Sequence, residues 1–151
     1  MLILISDAFD ESLPKVLSKY GEVTADKNRL PEAEIVLVRS KTKATKEYLD
    51  NAKNLKLIIR GGVGLDNIDV PHAEKKGIKV HNTADASTTA VAELTFAMMI
   101  ALPNQLIKAH NSMKEGKWLK SELERTELMG KTLGILGMGR IGTALAIRAR
   151  A

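Results

Sequence analysis

The chain holds 151 residues, 44% of them hydrophobic and 27% charged, with 23 Lys and Arg against 18 Asp and Glu for a net charge of +5. A chain of this size hides roughly 70% of the surface its unfolded form exposes, which excludes disordered, collagenous and coiled-coil classes. With no cysteine, it has no disulfide framework, thiolate metal site or thiol nucleophile, and a reducing, cytoplasmic compartment is the expectation.

Met1-Leu2-Ile3-Leu4-Ile5 runs straight into Ser6-Asp7 without a basic flank, too short for a secretory signal. It reads as a buried first strand. Further strands are predicted at 22–25, 35–38, 57–60, 78–81 and 132–136, with helices at about 12–20, 45–52 and 70–76. Aliphatic runs alternating with helix-length segments build parallel sheets through βαβ crossovers. The runs are apolar without strict alternation, as when helices cover both faces. The fold class is therefore α/β, a doubly wound parallel sheet.

From Asn82 to Thr88 the residues turn small and polar, which places a hinge there and offers several N-caps to the next helix. That helix is apolar at 11 of 13 positions from Ala90 to Leu102, so it is expected to be enclosed on nearly every side, between domains or subunits. It is shorter than the ~20 residues of a membrane span, and no membrane partner is expected. Pro103 is expected to kink or end it, with a more polar helix from Gln105 to Met113. A loop at Lys114-Glu115-Gly116-Lys117-Trp118 precedes the last strand, and a helix starts at Arg140. The positive charge is spread over both halves of the chain and aromatic residues are 3%, so no nucleic-acid partner is expected.

Seven of the 11 glycines fall in two clusters, Gly61, Gly62, Gly64 and Gly134, Gly137, Gly139, Gly142. Gly137-Met138-Gly139-Arg140-Ile141-Gly142 matches G-x-G-x-x-G between a predicted strand and a predicted helix, the context of a dinucleotide fingerprint. There the first glycine allows the tight bend, the second admits a pyrophosphate, and the third lets helix and strand pack closely. Free N–H groups at the helix start then meet the phosphates, with Arg140 at the same rim. A P-loop is excluded, since Arg125 stands where its first glycine is required. The first cluster, Arg60-Gly61-Gly62-Val63-Gly64, also follows a strand and predicts a nest of backbone N–H groups suited to a small carboxylate. Arg39-Ser40, ending another strand, adds a fork for the same anion.

The remaining chemistry is sparse. His72, His81 and His110 have no metal-ligand spacing, so no metal is expected. Glu93 is expected to be a buried glutamate satisfied by a neighbouring helix, and Met98 and Met99 to be core filling.

Val38-Arg39-Ser40, Arg60-Gly61-Gly62-Val63-Gly64-Leu65-Asp66-Asn67-Ile68-Asp69, Asn82-Thr83, Val91-Ala92-Glu93-Leu94, Met113-Lys114-Glu115-Gly116-Lys117-Trp118 and the stretch from Gly130 to Gly142 together resemble the D-isomer-specific 2-hydroxyacid dehydrogenases. The resemblance implies a flavodoxin-like substrate domain at 1–97 and, at 98–151, the first βα unit of a Rossmann NAD-binding domain. It implies NAD as cofactor, a small 2-hydroxy acid as partner, and a homo-oligomer, dimer or tetramer, with the apolar helix in its interface. The implied activity is NAD-linked oxidation of 3-phospho-D-glycerate to 3-phosphohydroxypyruvate, which opens serine biosynthesis. The alternatives are glyoxylate or hydroxypyruvate reduction within the family, and a non-catalytic small-anion-binding or dimerisation module.

Carried over by the resemblance, the backbone of Gly61, Gly62 and Val63 holds the substrate carboxylate, Arg39 and Ser40 line the substrate, and Lys120 reaches its phosphate. Val63, Gly137, Gly139, Arg140, Ile141 and Gly142 meet the cofactor. Two departures stand out: Val63 replaces a common Thr, and Ala84 and Ala86 replace a common Pro and Gly. The family's catalytic Arg, Glu and His have no counterpart in the chain, and the ribose-binding acid expected about 20 residues past the fingerprint falls beyond Ala151. The chain is thus expected to be roughly the first half of an enzyme, inactive alone. Residues 104–151 expressed by themselves are expected to associate or order poorly, because a strand at 132–136 would lack its next neighbour.

Overall fold

A computed structural model describes residues 1–150. The chain divides into two compact units, Met1–Ser87 and Thr88–Ala151. The division falls in the small, polar segment where the hinge is expected, whereas a boundary at 97 lies inside a helix.

The first unit carries five strands, β1 (Leu2–Ile5), β2 (Glu22–Thr24), β3 (Ile35–Val38), β4 (Leu57–Arg60) and β5 (Lys79–Asn82), with short helices α1 (Leu13–Leu17), α2 (Lys46–Asn51) and α3 (Val70–Lys75) between them. The strands are all parallel, in the order β2-β1-β3-β4-β5, the flavodoxin-like winding. Register puts Leu4, Val36, Ile58 and Val80 in one row across the sheet. Leu4, Val36 and Ile58 are fully buried, and Leu49 of α2 and Ala73 of α3 join them. Burying each large aliphatic stabilises the unit by about 1.5–3 kcal/mol.

Local signals set the ends. The Thr45 hydroxyl caps α2 by accepting the Tyr48 N–H, and Asp69 caps α3 by accepting the His72 N–H. Strand β5 starts one residue later than 78, because the Ile78 N–H donates to the Ala73 carbonyl and the Gly77 N–H to Glu74, a turn that closes α3.

The second unit consists of α4 (Thr88–Ala101), α5 (Leu106–Lys114) and α6 (Arg140–Arg150), joined by irregular segments. Helix α4 packs on α6, and Arg148 Nη2 donates to Glu93 Oε1 at 3.1 Å. Three expectations need correction. Residues 132–136 form no strand, because a ladder needs a second strand to pair with and none lies beside them among the described residues. Helix α4 is not enclosed: Ala92 is its one buried residue, while Leu94 and Met98 are 61% and 55% exposed. Packing on α6 covers only one side of a helix that is apolar all round. Glu93, correspondingly, has a helix-borne partner but an exposed side chain. Pro103 lies just past the end of α4, as expected.

Among the described residues no single helix is long and apolar enough to cross a membrane, and no group of His, Asp and Glu is arranged to hold a metal ion.

Candidate functional site

Ligands of doubly wound sheets sit beyond the carboxyl ends of the strands, at the point where the winding reverses. In this sheet that point lies between β1 and β3. Three segments meet there: Ser6 to Phe9 after β1, Arg39 to Thr42 after β3, and Gly61 to Asn67 after β4.

Asp7 joins the first two, accepting the Arg39 N–H (2.6 Å), the Thr42 N–H (3.1 Å) and the Thr42 hydroxyl (2.7 Å). Burial pushes the Asp7 carboxyl up, but those three donors outweigh it and hold the group below the usual carboxylate range. The Arg39 guanidinium donates to the Ala8 carbonyl at 3.1 Å and lies 6.0 Å from the centre of the Phe9 ring. Gly61 is the neighbour on the other side, since a Cβ there would come within 2.6 Å of the Phe9 ring. Ser40 is exposed beside Arg39.

The glycine loop after β4 is fixed to β5. The Gly62 N–H donates to the Thr83 hydroxyl at 3.0 Å, and Asn82 Nδ2 donates to the Val63 carbonyl at 2.7 Å. The Gly61 N–H donates to the Val38 carbonyl at 2.8 Å. Two of the three amides expected to form the nest are thus engaged within the protein. The N–H groups of Val63 and Gly64 have no partner among the described residues and are the donors open to an anion, one step further along the loop. Gly62 has φ +144, a conformation that favours glycine, and a Cβ there would meet the end of the Arg60 side chain, which would have to shift.

Sequence reasoning gave Arg60, Asp7, Asn67 and Thr83 no role. Arg60 ends β4 with its guanidinium against Gly62, and its buried Nε has no partner among the described residues. The signal for it is a cation closing an otherwise apolar strand. Those of Asp7 and Thr83 are polar residues just past strand ends, where side chains bond to neighbouring loops, and that of Asn67 is a polar residue further along the segment after β4.

The second glycine cluster fits a pyrophosphate turn in its own unit. Gly137 has φ +96, and a Cβ on Gly142 would collide with the Gly137 carbonyl oxygen, so the loop closes tightly on the start of α6. A Cβ on Gly139 would meet open space, leaving that backbone approachable. Arg140 and Ile141 are the first residues of α6, an 11-residue helix whose N-terminal end suits phosphate oxygens. Lys120 lines a cavity of about 450 Å³ with Trp118, Met113 and Arg125. The sites therefore sort by unit: Arg39, Ser40, Gly61, Gly62 and Val63 in the first, and Lys120 and the fingerprint in the second.

The family model of the D-isomer specific 2-hydroxyacid dehydrogenase catalytic domain matches residues 3–132. A hydroxypyruvate reductase of Thermotoga maritima is 43% identical, over 97% of this chain and 51% of that protein. A D-3-phosphoglycerate dehydrogenase of Methanocaldococcus jannaschii is 41% identical, over 99% and 30%. Among solved structures, the D-lactate dehydrogenase of Aquifex aeolicus complexed with NAD and lactic acid superimposes with a TM-score of 0.86 at 32% identity, over 99% of this chain and 48% of that one. The chain spans about half the length of the Thermotoga relative and 30% of the Methanocaldococcus one. With a family model covering most of its length, on a sheet wound as the sequence predicts, the chain belongs to the D-isomer specific 2-hydroxyacid dehydrogenase family.

Proposed function

We propose that the chain supplies the acid-binding side and the start of the nucleotide-binding side of an NAD-linked dehydrogenase that oxidises 3-phospho-D-glycerate to 3-phosphohydroxypyruvate, a step feeding serine biosynthesis in the cytoplasm. The observation that carries this reading is the open amide pair of Val63 and Gly64 in the loop after β4, whose Gly61 lies against Arg39. Amides and a guanidinium at one crevice suit a carboxylate.

NAD, when bound, supplies the hydride acceptor; the residues that would hold its pyrophosphate are Gly137, Gly139, Arg140, Ile141 and Gly142. The chain's own part is binding and orientation: the loop after β4 fixes the carboxylate and Arg39 and Ser40 flank it, while Lys120 of the second unit offers a cation suited to phosphate groups. No residue among 1–151 is assigned a proton-transfer role. The exposed apolar surface of α4 supports a homo-oligomer, dimer or tetramer. Reduction of hydroxypyruvate or glyoxylate is the second reading, favoured by the Thermotoga relative at 43% identity.

Calorimetric titration separates the readings. The first predicts that 3-phospho-D-glycerate binds at least about tenfold more tightly than D-glycerate, a difference of 1.4 kcal/mol. Equal affinities would favour the second reading, and no binding of either acid would refute both.

A further inference from the structure

The turn after β3 is held in an unusual way. The N–H groups of Arg39 and Thr42 both donate to Oδ2 of Asp7, at 2.6 and 3.1 Å, and the carbonyls of the same two residues both accept from Nδ2 of Asn67, at 2.7 Å each. Two side chains, one just past β1 and one in the segment between β4 and α3, thus take all four backbone polar groups at the ends of a four-residue turn. The Thr42 hydroxyl adds a third bond to Asp7. Between the clamped ends, Ser40 and Lys41 are exposed, and their N–H groups have no partner among the described residues.

We propose that Asp7 and Asn67 are positioning residues, a two-sided clamp that fixes the Arg39–Thr42 turn so that Arg39 and Ser40 are presented in one geometry to the substrate anion. This inference rests on the functional reading above and goes beyond it by naming what holds the acid-binding turn in place.

Three arguments support it. Asp7 and the turn it holds follow β1 and β3, the pair of strands that flanks the ligand crevice of this winding, and Asn67 reaches the turn from the segment after β4. A carboxylate beside an anion crevice repels the ligand, so Asp7 favours binding only through the geometry it imposes, and its bonds all go to the turn. The Asn67 amide has one workable orientation, because the reverse one would set its oxygen against two carbonyls. Fixing the turn beforehand lowers the ordering cost of binding.

The test measures binding of 3-phospho-D-glycerate by calorimetry and amide exchange by NMR on the same variants. Asp7→Ala and Asn67→Ala are expected to raise Kd at least about tenfold and to speed exchange at Arg39 and Thr42, with the remaining amide spectrum unchanged. Asp7→Asn separates positioning from charge. Its oxygen can still accept both N–H groups and its amide can donate to the Thr42 hydroxyl, so Kd is expected within about threefold of wild type, or tighter for want of the repelling charge. Thr42→Val, which removes one bond, gives an intermediate loss if the alanine variants fail to fold. Faster exchange at Arg39 and Thr42 with an unchanged Kd would overturn the inference, as would an Asp7→Asn variant as weak as Asp7→Ala. Absence of binding by the wild-type chain, with Arg39 and Thr42 still protected, would instead refute the functional reading and the inference with it.

Discussion

In the sheet unit Leu4, Val36 and Ile58 are sealed at 0% exposure, whereas in the helical unit Leu94, Met98 and Leu102 stand 61%, 55% and 81% exposed. Both segments are rich in aliphatic side chains, and composition does not separate them. The connectivity does. A parallel sheet returns its own crossover segments to its faces, so Leu49 of α2 and Ala73 of α3 close over the strands. Helix α4 has no such built-in cover: apolar around its whole circumference, it meets α6 on one side and leaves the rest open. Hydrophobicity read along a sequence reports demand for burial, and topology decides whether the same unit meets it.

Truncation is the strongest way to break this comparison. Ile58→Ala should cost about 2–5 kcal/mol, since it opens a cavity in the centre of the sheet, while Leu94→Ala should change stability by no more than about 0.5 kcal/mol. Chemical denaturation reads both, and equal losses would mean that α4 is packed as tightly as the strands. Next in size, Gly62→Ala should destabilise the sheet unit by about 1–3 kcal/mol, as its φ of +144 strains any residue with a Cβ and the Arg60 guanidinium would have to move aside. It should also abolish carboxylate binding, whereas Gly139→Ala, with open space at its Cβ, should leave the melting temperature unchanged.

A smaller effect sharpens the electrostatics. The Asp7 carboxyl titrates lower when folded than when unfolded, so its contribution is present above the unfolded value near pH 4 and is lost as pH falls through the folded one. Asp7→Asn should therefore flatten the acid limb of the stability profile below about pH 4 and leave the neutral region nearly unchanged. An acid limb identical to wild type would show that the three bonds to Asp7 do not persist in solution. The smallest expected effect is that of Lys117→Ala, which removes an exposed ion pair with Glu115; its melts should overlay those of wild type.

The sheet unit was legible in the sequence because its signals are local. Leu2–Ile5, Ile35–Val38 and Leu57–Arg60 are continuous apolar runs, and Thr45 and Asp69 cap the helices that follow. Two features escaped for physical reasons. The segment 132–136 has the composition of a strand, but a strand is a property of a pair. The glycine loop looked like three open amides, yet Gly61 and Gly62 are engaged by Val38 and Thr83, residues 23 and 21 positions away that no local pattern links to it. Asp7 and Asn67 were missed for the same reason, since their bonds to the Arg39–Thr42 turn join residues 25 or more positions apart.

The central claim is that the amides left open at the tip of β4 hold the carboxylate of a 2-hydroxy acid. Titrating the 15N-labelled chain with 3-phospho-D-glycerate and following each amide tests it most directly. The account predicts saturable shifts at Val63 and Gly64, joined by Ser40; shifts that never saturate, or that fall on exposed lysines while Val63 and Gly64 stay still, would contradict it.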